Sequence, residues 1–173
     1  MRRPVDAVRV GRFMRSLAEA VDRRGRVYFT GGVTAVLLNF RPSTLDIDLK
    51  FEPESDGLFR ALPELKERLE VNVELASPAD FIPELAGWRE RSLFICQEGP
   101  LSFYHYDLYA QVLAKIERGH TQDLADVRQL LATGKVLPQE LRRKLDEIEP
   151  RLYRYPAVDP PAFRRRLEEV LRS

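Results

Sequence analysis

The stretch that decides the fold is YFTGGVTAVLLNFRPSTLDIDLKF, residues 28–51. A short apolar run turns at Gly31 and Gly32 into a segment with helical spacing, and a second apolar run then contains Asp46 and Asp48. Because side chains at positions i and i+2 of a strand point to one face, the two aspartates project together. The apolar residues that alternate with them would face the core: Leu45, Ile47 and Leu49. Two like charges side by side are costly unless a cation lies between them.

Periodicity in the rest of the chain predicts a small α+β fold. Period-two alternation predicts strands in VNVELA, SLFICQ and LSFYHY, and the last two flank a turn that would make a hairpin. Helical spacing predicts a first helix over 4–24 and, after Asp107, three helices, an extended proline-rich connection and a final helix. We expect a mixed sheet with helices over residues 1–106 and a helical region over 107–173 packed on that core.

Composition is ordinary for a globular protein. Apolar residues make up 44% of the 173 residues and charged residues 32%, and the net charge is +1. The single cysteine, Cys96, excludes an internal disulfide and CxxC zinc sites. The sequence has neither an apolar run long enough for a membrane span nor the apolar segment of a signal peptide. We therefore expect a cytoplasmic protein without a membrane partner.

Charge is unevenly distributed along the chain. Residues 1–41 carry 9 basic and 3 acidic groups, whereas residues 42–101 carry 6 and 13. These are either solvated faces or a cationic surface beside an acidic metal centre, which would suit a phosphate-rich partner. The basic residues of the two terminal helices either confer solubility or meet an RNA backbone: Arg9, Arg12, Arg15, Arg164, Arg165 and Arg166.

A third carboxylate is available on the predicted strand VNVELA. Glu74 lies on the face opposite Val73 and, if this strand neighbours the aspartate strand, it joins Asp46 and Asp48. Three carboxylates can hold Mg²⁺ ions that bridge the phosphates of a nucleotide. Asp80 is a reserve candidate, although it also suits a helix cap. The alternative for the aspartate pair is an exposed edge strand with two solvated carboxylates.

Groups suited to phosphate binding lie before and after the aspartates. The glycine pair lets backbone N–H groups approach an anion closely, although it also suits a plain tight turn. Arg41 precedes the second strand, and Thr44 either holds the turn there or contacts phosphate. Lys115 and Arg118 stand close to a glycine break at a helix end, where they either reach a phosphate or lie on a solvated helix face.

Together these motifs resemble the signature of polymerase-β-type nucleotidyltransferases. TGG followed by RPSTLDIDL is similar to their glycine pair and the D-x-D of the next strand. The later LAKIERGHTQDLADVRQLL resembles the K-L-x-A-x-x-x-R-x-x-x-K-D-x-x-D segment of AbiE-type toxin nucleotidyltransferases and of related uncharacterised prokaryotic proteins. The resemblance covers residues 28–131. It departs from the pattern at Gln122, where a basic residue is usual, and at the glycine pair, which is Gly-Ser in many transferases.

The resemblance implies a nucleotidyltransferase-like fold and a role for each matching residue. Lys115 corresponds to the motif lysine, which touches phosphate, and Asp123 and Asp126 correspond to its two aspartates. Asp123 also suits a purely local role, in the first turn of a helix capped by Thr121. The motifs and the resemblance together indicate a site of catalytic Asp46, Asp48, Glu74, Lys115 and Asp123, Mg²⁺ on Asp46, Asp48 and Glu74, and a nucleotide bound by Gly31, Gly32, Arg41, Thr44 and Arg118.

The function that follows is Mg²⁺-dependent transfer of a nucleotide from an NTP to a hydroxyl group of a protein or of an RNA such as a tRNA. The resemblance extends to the toxin of a toxin–antitoxin pair, with an antitoxin protein as partner. One alternative is a non-catalytic module of the same fold that binds a nucleotide or a partner. Another is a structural protein that binds nucleic acid through its basic terminal helices.

Overall fold

A computed structural model of the chain describes residues 2–173, which form two compact units. The sheet unit comprises residues 2–77 and 92–105, and the helical unit comprises residues 78–91 and 106–173. The α+β class with a mixed sheet and a C-terminal helical part is confirmed. The division at residue 106 stays a prediction, and the structure adds that residues 78–91 group with the helices.

The sheet unit contains five strands and three helices. In chain order they are α1 (Ala7–Glu19), β1 (Gly25–Thr30), α2 (Gly31–Leu37), β2 (Asp46–Glu52), α3 (Asp56–Leu69), β3 (Asn72–Leu75), β4 (Leu93–Glu98) and β5 (Leu101–His105). The strand order is β3-β2-β1-β5-β4. Strand β1 is antiparallel to β2 and parallel to β5, while β2 and β3 are parallel. Strands β4 and β5 form the predicted hairpin.

One face of the sheet carries the core of this unit. Side chains alternate along β2, so that Ile47 and Leu49 are fully buried while Asp46 and Asp48 lie half-buried on the other face. The buried face packs against α1 and α3 through apolar residues that include Phe13, Leu17, Phe29, Leu62, Leu65 and Phe103. The prediction that Leu45 faces the core is wrong, because β2 begins one residue later and Leu45 is 69% exposed.

Helix α1 is tied to the end of α3 by an arginine. Asp6 caps α1 by accepting a hydrogen bond from the backbone N–H of Arg9 at 2.9 Å, so the helix begins later than predicted. The Arg9 guanidinium donates to the carbonyl oxygens of Leu69 at 2.5 Å and Glu70 at 3.2 Å, and it also reaches the carbonyl oxygen of Pro4 at 2.7 Å. Because the carbonyl groups of Leu69 and Glu70 are the last of α3, Arg9 acts as a cap for that helix.

The helical unit contains α4 (Trp88–Arg91), α5 (Leu108–Arg118), α6 (Thr121–Ala132), α7 (Pro138–Ile148) and α8 (Pro160–Arg172). Two 3₁₀ segments, Pro78–Asp80 and Glu149–Arg154, complete it, and the second replaces part of the extended connection predicted there. Helix α5 is buried from Ala110 to Ile116. Its cap, Asp107, accepts from the backbone N–H of Tyr109 at 3.2 Å and pairs with Arg91 at 2.8 Å.

The basic run of α8 is partly neutralised within the helical unit. Arg164 contacts Asp146 at 2.7 Å and Glu149 at 2.9 Å, and Arg166 lies 3.9 Å from Glu117. These arginines therefore support the packing of helices as well as solubility. Within residues 2–173, no helix combines the length and the apolar character that crossing a membrane requires.

Replacing Arg9 by Ala should lower the free energy of unfolding by about 1.5–3 kcal/mol, because the carbonyl groups at the end of α3 lose a charged donor. The matched change Arg12→Ala, at an exposed position of the same helix, should cost less than about 0.5 kcal/mol. Urea unfolding followed by circular dichroism measures both variants. Equal, small effects would contradict the capping role of Arg9.

Candidate active site

Three predicted carboxylates lie on one face of the sheet, at neighbouring positions of β2 and β3. These strands are parallel, and their register pairs Asp48 with Glu74 and Asp46 with Asn72. Paired residues of adjacent strands are separated by about 4.8 Å and share a face. The sequence placed Glu74 beside the aspartates only if its strand neighbours theirs, and β3 does lie next to β2. Glu74 is the exposed member, whereas the two aspartates are half-buried.

Asn72 is the site residue that sequence reasoning missed. Its side-chain amide donates to Asp46 Oδ1 at 2.5 Å and lies 3.4 Å from Glu74 Oε1. The amide thus lies between two carboxylates and supplies hydrogen bonds, but no charge. The signal was present in the alternation of VNVELA, which puts residue 72 on the same face as residue 74.

The chemical type of these three side chains suits Mg²⁺. Carboxylate oxygens on one strand face are the hard ligands that this ion prefers, and Asp46, Asp48 and Glu74 supply them from two adjacent strands. Among residues 2–173, no three His, Cys, Asp or Glu side chains are gathered into the arrangement of a metal site. The Asn72 amide is the group that would have to turn away for Asp46 and Glu74 to share an ion.

The first glycine of the pair makes room for an aspartate. Gly31 has φ +61°, in the left-handed region, and a Cβ added there would lie 2.8 Å from Asp48 Oδ2. Any other residue would be strained in this conformation and would push the carboxylate aside. The backbone of the turn and the Asp48 carboxylate are therefore in close contact.

The second glycine makes room for a threonine and an arginine. A Cβ added at Gly32 would collide with Thr44 Oγ1 and would lie 2.9 Å from Arg41 Nη2. Thr44 is fixed in turn by an isolated bridge to Val5, with backbone hydrogen bonds of 2.7 and 2.9 Å. The structure thus brings Arg41 and Thr44, two predicted phosphate ligands, to the surface of the glycine turn.

The predicted residues of the helical unit form a separate cluster. Lys115 is buried in α5, and its Nζ lies 3.0 Å from Asp126 Oδ2 and 3.3 Å from Asp123 Oδ1. An ammonium group has three donors, so these two aspartates account for two of them. Lys115 therefore does not lie on a solvated helix face, and the motif aspartates fix where its charge lies.

Arg118 belongs to the outer part of the same cluster. Its Nη1 lies 4.0 Å from Asp123 Oδ2, and its guanidinium lies 4.6 Å above the ring of Phe81. The predicted cap of α6 is wrong: His120 is the N-cap residue and Thr121 is the first residue of the helix, with Asp123 in the first turn. Asp123 thus lies in the first turn of α6, and it also contacts Lys115, the motif lysine.

A family model described as "Nucleotidyltransferase of unknown function (DUF6036)" matches residues 8–154 of the chain. No curated protein and no solved structure matches the chain. The matched range includes every residue discussed for the candidate site, from Gly31 to Asp126.

Replacing Asn72 by Asp should lower the free energy of unfolding by about 1–3 kcal/mol in EDTA, because a third negative charge replaces the donor between Asp46 and Glu74. Added Mg²⁺ should raise the melting temperature of this variant more than that of the parent. The same chemical change at exposed Asn39, which has φ +65°, serves as the control. Identical Mg²⁺ responses of all three proteins would argue against a cation between these carboxylates.

Replacing Lys115 by Met should destabilise the protein by about 3–5 kcal/mol, because it removes the cation that pairs with buried Asp126 and half-buried Asp123. The double variant Lys115→Met with Asp126→Asn should recover part of the loss. Chemical denaturation measures both, and Lys135→Met at an exposed position is the control. An undiminished stability of Lys115→Met would mean that the buried ion pairs do not hold α5 and α6 together.

Proposed function

Because the chain belongs to a nucleotidyltransferase family of unknown function (DUF6036), we propose that it is an Mg²⁺-dependent nucleotidyltransferase. It transfers a nucleotide from an NTP to a hydroxyl group of RNA or protein and releases pyrophosphate. The observation that carries the proposal is the common strand face of Asp46, Asp48 and Glu74, with Gly31 packed against the Asp48 carboxylate.

In this proposal the sheet unit holds the reacting groups. Asp46, Asp48 and Glu74 are the residues that would hold Mg²⁺, which when bound neutralises charge on the triphosphate and lowers the pKa of the acceptor hydroxyl. Glu74 takes the proton of that hydroxyl, since it is the carboxylate most accessible to solvent. The hydroxyl oxygen forms a bond to the α-phosphorus while the bond to the pyrophosphate oxygen breaks.

The remaining site residues position phosphate groups. The backbone of Gly31 and Gly32 contacts the triphosphate, and Arg41 and Thr44 stand against that turn to meet the leaving pyrophosphate. For Lys115 we propose contact with phosphate through the ammonium hydrogen that its two aspartates do not use. Asp123 orients Lys115, and Arg118 adds charge beside it. Transfer then depends on positioning and charge neutralisation.

A second candidate is a non-catalytic module of the same fold that binds a nucleotide or a partner protein. The Asn72 amide favours it, because this group bonds to Asp46 and approaches Glu74 without supplying charge. Such a module would bind nucleotide and Mg²⁺ and release no pyrophosphate with any acceptor.

The proposed biological role is the toxin of a toxin–antitoxin pair, which rests on the resemblance of the two motifs to toxin nucleotidyltransferases. Induced expression should arrest growth of a bacterial host, and the variant with Asp46 and Asp48 changed to Ala should not. Growth curves at matched protein levels measure this. Equal growth arrest by both proteins would mean that the toxicity does not depend on the aspartates, and therefore not on the proposed nucleotidyl transfer.

The enzyme should transfer label from one of the four α-labelled NTPs to RNA or protein in the presence of Mg²⁺. Changing Asp46 or Asp48 to Ala should lower the rate by about a hundredfold or more, because several kcal/mol of charge stabilisation are lost. Gel autoradiography of reactions with total RNA and whole-cell protein measures both the rate and the acceptor class.

The matched control is Glu64→Gln, which removes a carboxylate from an exposed position of α3 and should leave the rate unchanged. Full activity of both aspartate variants would refute the proposed site. Tight nucleotide and Mg²⁺ binding by a folded protein that labels no acceptor would favour the non-catalytic module.

A further inference from the structure

Three aromatic side chains form a row across the sheet, on the face that carries the carboxylates. The register pairs Tyr28 of β1 with Tyr104 of β5, and Tyr104 with Phe94 of β4. The rings of Tyr28 and Tyr104 are stacked at 5.3 Å, and those of Tyr104 and Phe94 meet edge-to-face at 5.6 Å. Thr30, which pairs with Asp48, is two residues along β1 from Tyr28, so the row lies about 7 Å further along the strands.

The aromatic row runs from the interior of the sheet to solvent. Tyr28 is fully buried, Tyr104 is half-buried and Phe94 is 60% exposed on the edge strand β4. Packing explains the inner ring, but it does not explain why a phenyl group lies in water at the outer end. An exposed ring that is held edge-to-face against a second ring offers a face on which a flat apolar group can stack.

Positive charge borders the aromatic row. The guanidinium carbon of Arg26 lies 5.5 Å from the centre of the Tyr104 ring, and Arg26 is exposed. Arg24 and Arg26 both line an open cavity of about 720 Å³ at the start of β1. Glu52, the register partner of Arg26, lines the same cavity, so one carboxylate accompanies the two arginines and the excess of charge among these three residues is positive.

We propose that Phe94, Tyr104, Arg24 and Arg26 dock the single-stranded end of an RNA acceptor. Exposed rings stack on unpaired bases whatever their sequence, and the arginines meet the phosphates between those bases. A protein acceptor would be expected to bury a broader apolar surface with its charges at the rim. The inference rests on the proposed function only in calling this RNA an acceptor, because docking itself needs neither NTP nor Mg²⁺.

The test is binding of a fluorescein-labelled ten-nucleotide single-stranded RNA to the full chain, measured by anisotropy in EDTA without NTP. Changing Phe94 to Ala or Leu should raise the Kd about tenfold, whereas Phe94→Tyr should bind like the parent. Phe94→Leu keeps an apolar side chain on β4, so its loss of affinity reports the ring rather than the fold. Arg26→Ala should also lower the slope of log Kd against log salt by about 0.7.

The chain offers a matched control. Tyr153 is 73% exposed, and the guanidinium of Arg154 lies 5.6 Å from the centre of its ring, so this pair repeats an exposed ring and an arginine in the helical unit. Tyr153→Ala and Arg154→Ala should leave the Kd and the salt slope unchanged. Circular dichroism and melting temperature show that every variant is folded.

The docking inference and the proposed function fail in different ways. Equal Kd values for parent, Phe94→Ala and Phe94→Leu would overturn the docking inference, even if label is transferred to RNA at the parent rate. Transfer to protein alone, with no RNA binding at micromolar protein, would overturn it in favour of a protein acceptor. RNA binding that depends on the Phe94 ring, with no transfer to any acceptor, would support the docking surface and contradict the proposed enzymatic activity.

Discussion

The candidate site depends on one steric constraint, the close approach of other chain segments to the backbone at Gly31 and Gly32. Asp48 fills the space beside the first glycine, and Thr44 and Arg41 fill the space beside the second. The strand β1, the turn and the start of β2 are therefore locked together at the end of the sheet where the carboxylates lie. A Cβ at either position would move these side chains apart, so one local requirement explains the glycine pair without any ligand. In the proposed function, a phosphate would approach the backbone N–H groups of this same turn, beside the Asp48 carboxylate.

Charge is balanced differently in the two units. In the helical unit, buried Lys115 is enclosed by Asp123 and Asp126, and the opposite charges compensate one another internally. In the sheet unit, Asp46 and Glu74 approach the amide of Asn72, which is polar but neutral, so their negative charge remains. The first arrangement fixes the position of a cation before any ligand arrives. The second leaves a demand for positive charge at the surface. In the proposed function, the cation that accompanies a nucleotide would meet that demand.

The sequence predicted the parts of this structure that follow from periodicity. The common face of Asp46 and Asp48, the strand that carries Glu74 and the β4–β5 hairpin follow from period-two alternation and turn residues, whereas the pairing of the Glu74 strand with β2 was only a condition. It did not predict contacts that depend on register or on distant segments. Asn72 was overlooked because a neutral amide resembles an ordinary polar strand residue until its partner across β2 is known. The exposure of Leu45 follows from where β2 begins, which a pattern alone defines poorly. The 3₁₀ segment Glu149–Arg154 was hidden by prolines that equally suit an extended chain.

The sheet face also shows why reactive and supporting residues separate along the strands. On the face that carries the carboxylates, successive positions of β1 are Arg26, Tyr28 and Thr30, which pair in β2 with Glu52, Lys50 and Asp48. The carboxylates of Asp46, Asp48 and Glu74 lie at one end of this face, and the row of stacked rings begins one repeat of the pleat further along β1. A phosphate group and its cation are stabilised where carboxylates and backbone N–H groups meet, whereas a flat base gains more from rings in a partly dry environment. An RNA acceptor lying across the sheet would therefore present its phosphates and its bases to different rows of one rigid surface, and the spacing between rows, fixed by the strand repeat, would set which hydroxyl reaches the carboxylates.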